Sequence, residues 1–219
     1  MPAKPPFDLT LYLVVGSDAV GGSSLEDVVA AALRGGVTVV QLREKTLPDD
    51  AMVALARRLK ALVARHGVPL IVNDRIAVAQ AAGADGVHLG WDDEAAPAAR
   101  ARLGDAALVG LSAGTAEEAA RVDCALADYV GIGSVYPTAT KPDAGPAIGV
   151  AGLQAVHELL PLPAVAIGGI GLGNAAEVMA GSTIEGIAVV SAICGASDPE
   201  AAARGLRAKI DKGRAARRG

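Results

Sequence analysis

Eight short apolar runs recur along the chain, at residues 11–15, 37–42, 70–72, 86–89, 108–111, 129–132, 164–167 and 186–190. Between them lie Ala-, Leu- and Arg-rich segments of helical period. In 50–65, for example, Leu55, Leu59 and Leu62 share one stripe while Arg57, Arg58 and Lys60 fall off it. Strand and helix in strict alternation require a parallel sheet, because consecutive parallel strands must be joined by a crossover. Eight such units in 219 residues predict an α/β fold closed into a (β/α)8 TIM barrel, one domain spanning 1–219. An open flavodoxin-like or Rossmann sheet is the lesser alternative.

Caps and breakers fit this parse. Ser23 or Ser24 can cap the first helix, Pro48-Asp49-Asp50 opens the second, Gly67 ends it, and Pro199 falls in the first turn of the last. Residues 1–8 are expected to form an N-terminal extension. The closing segment 209–219 gathers Lys212, Arg214, Arg217 and Arg218, and is expected to fray as a basic tail at the helix's negative end rather than act as a nucleic-acid arm.

Composition narrows the classes further. With 52% hydrophobic residues but only 2% aromatic, the core must be aliphatic. A net charge of −4 gives no general attraction to nucleic acid or anionic membrane, so any basic site is local. Cys124 and Cys194 lie far apart without metal-ligand spacing, and are expected as small buried thiols. The first residues lack an apolar run of signal-peptide length and no stretch of 18 apolar residues occurs, so a soluble, cytoplasmic protein is expected.

In a parallel barrel the functional rim is built by the loops at the carboxyl ends of the strands, and polar residues concentrate there. Gln41, Arg43 and Lys45 should project to one side of the second strand while Leu42 and Glu44 take the other, which converges two cations and an amide on an anion pocket; an ordinary solvated edge is the alternative. Asn73 and Asp74 end the third strand, and His88 the fourth, with Trp91-Asp92-Asp93 beyond it. Ser112 and Thr115 follow the fifth, and residues 137–141 the sixth.

Gly168-Gly169-Ile170 and Val190-Ser191, after the seventh and eighth strands, suit a phosphate cradle of backbone N–H groups; the plain alternative is a turn needing positive φ. Asp74 and Asp93 are the candidate Mg²⁺ ligands, with Asp92 or Glu94 as substitutes for Asp93. Mg²⁺ takes few protein carboxylates and completes its shell with water and phosphate oxygens, so two Asp facing Arg43, Lys45 and Lys141 describe a site for a metal-bound diphosphate. Each Asp could instead be a helix N-cap. His88 is read either as a proton shuttle or as a hydrogen-bonded core residue; His66 and His157 are expected at the surface. Neither a P-loop nor a GxGxxG pattern is present.

Gln41-Leu42-Arg43-Glu44-Lys45, Asn73-Asp74, Gly83-Ala84-Asp85-Gly86-Val87-His88-Leu89-Gly90, Pro137-Thr138-Ala139-Thr140-Lys141, Ile167-Gly168-Gly169-Ile170 and Val189-Val190-Ser191-Ala192-Ile193 resemble, in matching order, the motifs of thiamine phosphate synthases. The resemblance implies a Mg²⁺-dependent barrel that condenses 4-amino-2-methyl-5-(diphosphooxymethyl)pyrimidine with a thiazole phosphate by a dissociative route. It implies that Gln41, Arg43, Lys45, Asn73, Ser112 and Lys141 bind the pyrimidine diphosphate, with Leu42 and Glu44 in the same substrate-binding segment. Arg43, Lys45, Ser112 and Lys141 would act in catalysis, and Asp74 and Asp93 on Mg²⁺. Thr138, Ala139, Thr140, Gly169, Val190 and Ser191 would hold the thiazole phosphate. Its partners would be these small molecules, with no nucleic acid or membrane, and a homo-oligomer is left open. Trp91 and Gly114 depart from the family pattern, which often has glutamine at the first position and Ser-x-His around the second. A thiazole-phosphate tautomerase or a regulatory binder of the same fold is the alternative.

Overall fold

The computed structural model describes residue 4 and residues 7–91, 95–140 and 145–218. In chain order the elements are β1 (Leu11–Val15), α1 (Leu25–Arg34), β2 (Val39–Leu42), α2 (Asp49–Ala64), β3 (Leu70–Asn73), α3 (Ile76–Ala82), β4 (Gly86–Leu89), α4 (Ala96–Leu103) and β5 (Leu108–Ala113). There follow α5 (Ala116–Ala119), β6 (Tyr129–Ile132), α6 (Gly149–His157), β7 (Ala164–Ile167), α7 (Ala175–Ala180), β8 (Gly186–Val189), α8 (Ser191–Cys194) and α9 (Pro199–Arg218). The strands pair in parallel in sequence order and β8 returns to β1, closing the barrel.

Period-two alternation sorts the strand residues into two cores. Leu11, Leu13 and Val15 of β1, like Val40 and Leu42 of β2, face outward beneath the helices. Tyr12, Val14, Val39, Ile71, Leu108 and Val165 fill the bore. Fully burying one such Val or Leu stabilises by roughly 1.5–3 kcal/mol, so a one-residue register slip in any strand is prohibitive. α1 follows the same logic, with Leu25, Val28, Val29, Ala32 and Leu33 inward and the Ser24 side chain accepting from the Asp27 N–H as N-cap. Pro48 precedes α2, as expected, but that helix ends at Ala64 and the left-handed Gly67 lies three residues beyond.

At the amino-terminal end of the sheet one device occurs four times. The residue just before each even strand accepts a hydrogen bond through its side chain from an N–H at the start of the preceding odd strand, the first residue of β1, β3 and β7 and the second of β5. Thr38 Oγ1 takes Leu11 N at 3.0 Å, Asp85 takes Leu70 N at 2.8 Å, Asp128 takes Val109 N at 2.8 Å, and Glu185 takes Ala164 N at 2.6 Å. The backbone N–H of the same four residues returns a bond to the carbonyl of the same strand residue, at 2.8, 2.9, 2.7 and 3.0 Å. N–H groups at the start of the odd strands are thereby given acceptors.

Residues 209–218 are helical rather than frayed, which corrects the expectation from their charge. α9 continues to Arg218 because Gly213 lets it lie against α7; a Cβ there would sit 2.4 Å from the Ala176 carbonyl oxygen. Arg214 donates to Thr10 Oγ1 at 3.0 Å and to the Glu185 carbonyl, and Arg217 donates to the Ser182 carbonyl at 2.5 Å. Two of the four cations read as solvated, Arg214 and Arg217, thus bond to acceptors on the barrel floor. In the extension, Phe7 packs on Tyr129 at 6.2 Å between ring centroids and Leu9 is buried, so this stretch floors the bore. His66 is exposed, whereas His157 is half-buried and bonded to Thr183 Oγ1 at 3.0 Å. Cys194 is buried, which pushes its thiol up to about 12, and Cys124 is half-buried. Among the described residues no helix is long and apolar enough to cross a membrane.

Asp128 makes this floor pH-sensitive. Burial alone would raise its carboxyl, but hydrogen bonds from Lys4, the Val109 N–H and Arg100 outweigh it and hold the group below the ordinary carboxylate range. The unfolded chain then takes up the proton first, so the stabilisation is complete above the unfolded pKa of about 4 and is lost as pH falls through the folded value. Asp128→Asn leaves Arg100 without its buried partner. It is expected to cost roughly 3 kcal/mol at pH 7, about 6–12 °C in Tm, and to flatten the fall of Tm between roughly pH 5 and 3. Thermal melts over that range check both effects, and parallel curves would remove Asp128 as their cause.

Candidate active site

The alternation that fills the bore with Val39, Ile71 and Leu108 brings Gln41, Asn73, His88 and Ser112 to its upper end. Gln41 is only 4% exposed, and its Nε2 donates to Tyr12 Oη at 2.8 Å. Tyr12 Oη and Tyr129 Oη lie 2.7 Å apart, Tyr129 Oη lies 3.2 Å from His88 Nδ1, and His88 Nε2 lies 3.0 Å from Ser112 Oγ. One hydrogen-bonded series therefore crosses the barrel from β2 to β5. Burial raises both phenols well above their ordinary range, so they stay neutral. Gly110 and Gly131 make room for them: a Cβ on Gly110 would fall 2.2 Å from Tyr129 Cζ and one on Gly131 would fall 3.1 Å from His88 Cε1. Of the two readings of His88, the hydrogen-bonded one describes its geometry.

Above this layer is the charged rim. Arg43 N–H extends the β1–β2 ladder by donating to the Val15 carbonyl at 2.8 Å, so its side chain continues the inward series of Val39 and Gln41. The guanidinium is half-buried and, among the described residues, makes no ion pair. Lys45 Nζ meets Asp74 Oδ2 at 2.5 Å, joining the ends of β2 and β3. Leu42 is fully buried in the outer core, and Glu44 accepts from both Ser17 N–H and Ser17 Oγ at 2.6 Å. Their side chains are turned away from the mouth, as alternation requires, and Glu44 ties the loop after β1 to the loop after β2.

Asp74 is the one non-glycine residue with positive φ among those described, at 64°, in a three-residue turn closed by Arg75 N–H on the Asn73 carbonyl at 2.7 Å. The N-cap position of α3 is Arg75 rather than Asp74. Left-handed backbone costs a residue with a Cβ on the order of 1 kcal/mol, and such outliers persist where the surroundings over-determine them. Here the surroundings are the Asp74 N–H bond to the His88 carbonyl at 2.9 Å and Arg75, which donates to the Leu47 carbonyl at 2.6 Å and to Asp49 at 3.1 Å.

On the far side, Gly168 and Gly169 have φ of 102° and 63°, and a Cβ on Gly169 would lie 2.6 Å from the Pro137 carbonyl. The positive-φ reading of this pair is therefore met at both positions. The pair also presses the loop after β7 onto the loop carrying Thr138, Ala139 and Thr140, where Thr140 N–H donates to Thr138 Oγ1 at 3.2 Å. Val190 is the N-cap of α8 and Ser191, exposed, its first residue; the opening N–H groups of a helix have no partner within it. Asp92, Asp93, Glu94 and Lys141 lie outside the described residues.

A family model described as thiamine monophosphate synthase matches residues 11–193 of this chain. The chain belongs to the thiamine-phosphate synthase family. It is 52% identical over 205 residues to a thiamine-phosphate synthase of Xanthobacter autotrophicus, covering 94% of this chain and 97% of that one. A thiamine-phosphate synthase of Moorella thermoacetica is 44% identical over 210 residues, covering 96% and 99%. Among solved structures, a thiamine phosphate pyrophosphorylase from Pyrococcus furiosus superposes with a TM-score of 0.85 at 36% identity, covering 94% of this chain and 97% of that one. The protein is thus an enzyme of thiamine biosynthesis.

Its two departures from the family pattern have local reasons. The Trp91 ring lies under Arg121, whose Cζ is 4.7 Å from its centroid, so the indole packs on the end of the β5–α5 unit. Gly114 passes over β6, where a Cβ would meet the Gly133 carbonyl at 2.6 Å. Four supporting residues escaped sequence reading: Tyr12, Tyr129, Ser17 and Arg75. For the tyrosines a signal existed, since two of only three in the chain interrupt aliphatic strands at inward positions.

The turn at Asp74 yields a test. Asp74→Gly and Asp74→Ala both lose the carboxylate, but only glycine relieves the backbone cost of about 1 kcal/mol. Asp74→Gly is therefore expected to melt above Asp74→Ala. Reversal of that order in thermal denaturation would show the turn to be unstrained.

Proposed function

We propose that the barrel mouth binds 4-amino-2-methyl-5-(diphosphooxymethyl)pyrimidine with its diphosphate toward Arg43, Lys45, Ser112 and Lys141 and its ring toward Gln41 and Asn73. A thiazole phosphate lies on the other side, its phosphate against Thr138, Ala139, Thr140, Gly169, Val190 and Ser191. The observation that carries this reading is that half-buried Arg43 and the Lys45–Asp74 pair share the carboxyl-end rim of the barrel with Ser112, the end of the polar series. Cations with hydroxyl and amide donors suit a ligand that is acidic at one end and a polar aromatic ring at the other.

The reaction follows from charge. The C–O bond between the pyrimidine methylene and the diphosphate breaks, its electron pair leaves with the diphosphate oxygen, and the electron-rich aminopyrimidine delocalises the positive carbon. The thiazole nitrogen then supplies its lone pair to that carbon, giving thiamine phosphate. No side-chain nucleophile takes part. Arg43, Lys45 and Lys141 stabilise the growing negative charge, and the glycine-bounded wall holds the thiazole in line.

Mg²⁺ fits the donor set, because Asp74 presents hard carboxylate oxygen at the rim. Asp74 and Asp93 would hold the ion, which supplies Lewis-acid neutralisation of the leaving diphosphate. A tautomerase or regulatory binder would need the phosphate cradle but not the acids and cations of the opposite rim.

Mixing the protein with both substrates and Mg²⁺ is expected to release diphosphate and form thiamine phosphate, with turnover lost on chelation and restored by Mg²⁺. Arg43→Ala and Lys141→Ala are each expected to lower turnover by roughly 10²–10³-fold, with melting temperatures near the parent's. Diphosphate release at the parent rate in either variant would remove that residue from the reaction.

A further inference from the structure

We propose that Tyr129 is a positioning residue for this reaction, the last donor in a one-way chain from Gln41 through Tyr12, which sets His88 with its hydrogen on Nε2 and turns the Ser112 hydroxyl hydrogen toward the mouth. The inference rests on the reading that Ser112 faces the pyrimidine diphosphate.

The argument is a count of hydrogens. Gln41 Nε2 can only donate, so Tyr12 Oη accepts from it at 2.8 Å. Among the described residues Tyr12 Oη has one other partner, Tyr129 Oη at 2.7 Å. Both phenols are neutral because burial raises them, so each carries one hydrogen. Were Tyr129 to donate to Tyr12, the Tyr12 hydrogen would be left in a buried site facing an amide donor, and buried donors without acceptors are disfavoured. Tyr12 therefore donates to Tyr129, and Tyr129 to His88 Nδ1 at 3.2 Å. A neutral imidazole accepting at Nδ1 carries its hydrogen on Nε2 and donates to Ser112 Oγ at 3.0 Å. The Ser112 hydrogen is then directed away from His88.

This polarity suits the ligand's chemistry. A diphosphate offers only acceptors, so a hydroxyl at that place must donate. The opposite polarity requires the Gln41 amide turned over. It would run from Ser112 to His88 Nε2 and from His88 Nδ1 to Tyr129, setting a serine lone pair against an anion. Gly110 and Gly131 give the chain its space, and any larger residue would push Tyr129 or His88 out of line.

Nitrogen-15 labelling of the full chain at neutral pH reads which ring nitrogen of His88 carries hydrogen, with the His88 signals assigned by their absence in His88→Asn. The Nε2–H tautomer is expected in the parent protein, a mixture of tautomers in Tyr129→Phe, and the parent tautomer in Tyr12→Phe, where the Tyr129 hydroxyl still donates to His88. Kinetically, Tyr129→Phe is expected to lower kcat by about tenfold, the effect of one misdirected hydrogen bond, with KM for the pyrimidine diphosphate changed by less than about threefold. A parent His88 with hydrogen on Nδ1 or on both nitrogens, or a tautomer unmoved by Tyr129→Phe, overturns the proposal. Absence of diphosphate release by the parent protein overturns instead the functional reading beneath it, and the tautomer measurement separates the two.

Discussion

A closed parallel sheet gives each strand residue one of two places, the helix layer or a bore of fixed width, and the rest of this molecule follows from how that bore is filled. Its lower part is aliphatic and floored by Phe7 and Leu9. Its upper part holds two tyrosines and a histidine, which fit because β5 and β6 carry Gly110 and Gly131 where their neighbours carry side chains. Space given up by glycine on one strand is occupied by a ring from another. The polar series from Gln41 to Ser112 is thus a product of packing before it is a feature of chemistry.

The rim obeys a different balance. Lys45 and Asp74 are partly solvated, so their attraction alone contributes little. What fixes their position is backbone: the ladder bond of Arg43, the turn at Asp74, and Arg75 reaching across to the loop between β2 and α2. Charges held by such scaffolding need no reorganisation when an anion arrives, which is where electrostatic stabilisation of a leaving group is largest. Arg43 makes no ion pair among the described residues, so in the proposed function its charge is available to the diphosphate.

The eight strands were legible because apolar runs and helical stripes recur with few exceptions, and the boundary errors were small: β2 begins at Val39 rather than at residue 37, and β5 extends to Ala113 through Ser112. The alternation of Gln41 and Arg43 against Leu42 and Glu44 was legible for the same reason. Partners distant in sequence were not. Tyr12 meets Tyr129 across 117 positions, and Glu44 meets Ser17 across 27, so local period marks each as core or rim without naming what it touches. The closing helix misled because charge density reads as solvation, whereas Arg214 and Arg217 find carbonyl acceptors contributed by segments near residues 182 and 185.

The four clasps on the barrel floor have a consequence for how the chain can be divided. Thr38, Asp85, Asp128 and Glu185 each bind the odd strand immediately before them through both side chain and backbone. The sheet is therefore organised as four two-strand staves, and a cut ahead of β3, β5 or β7 severs none of these fastenings, whereas one ahead of an even strand always breaks a pair. New termini in a circularly permuted form belong at the former seams.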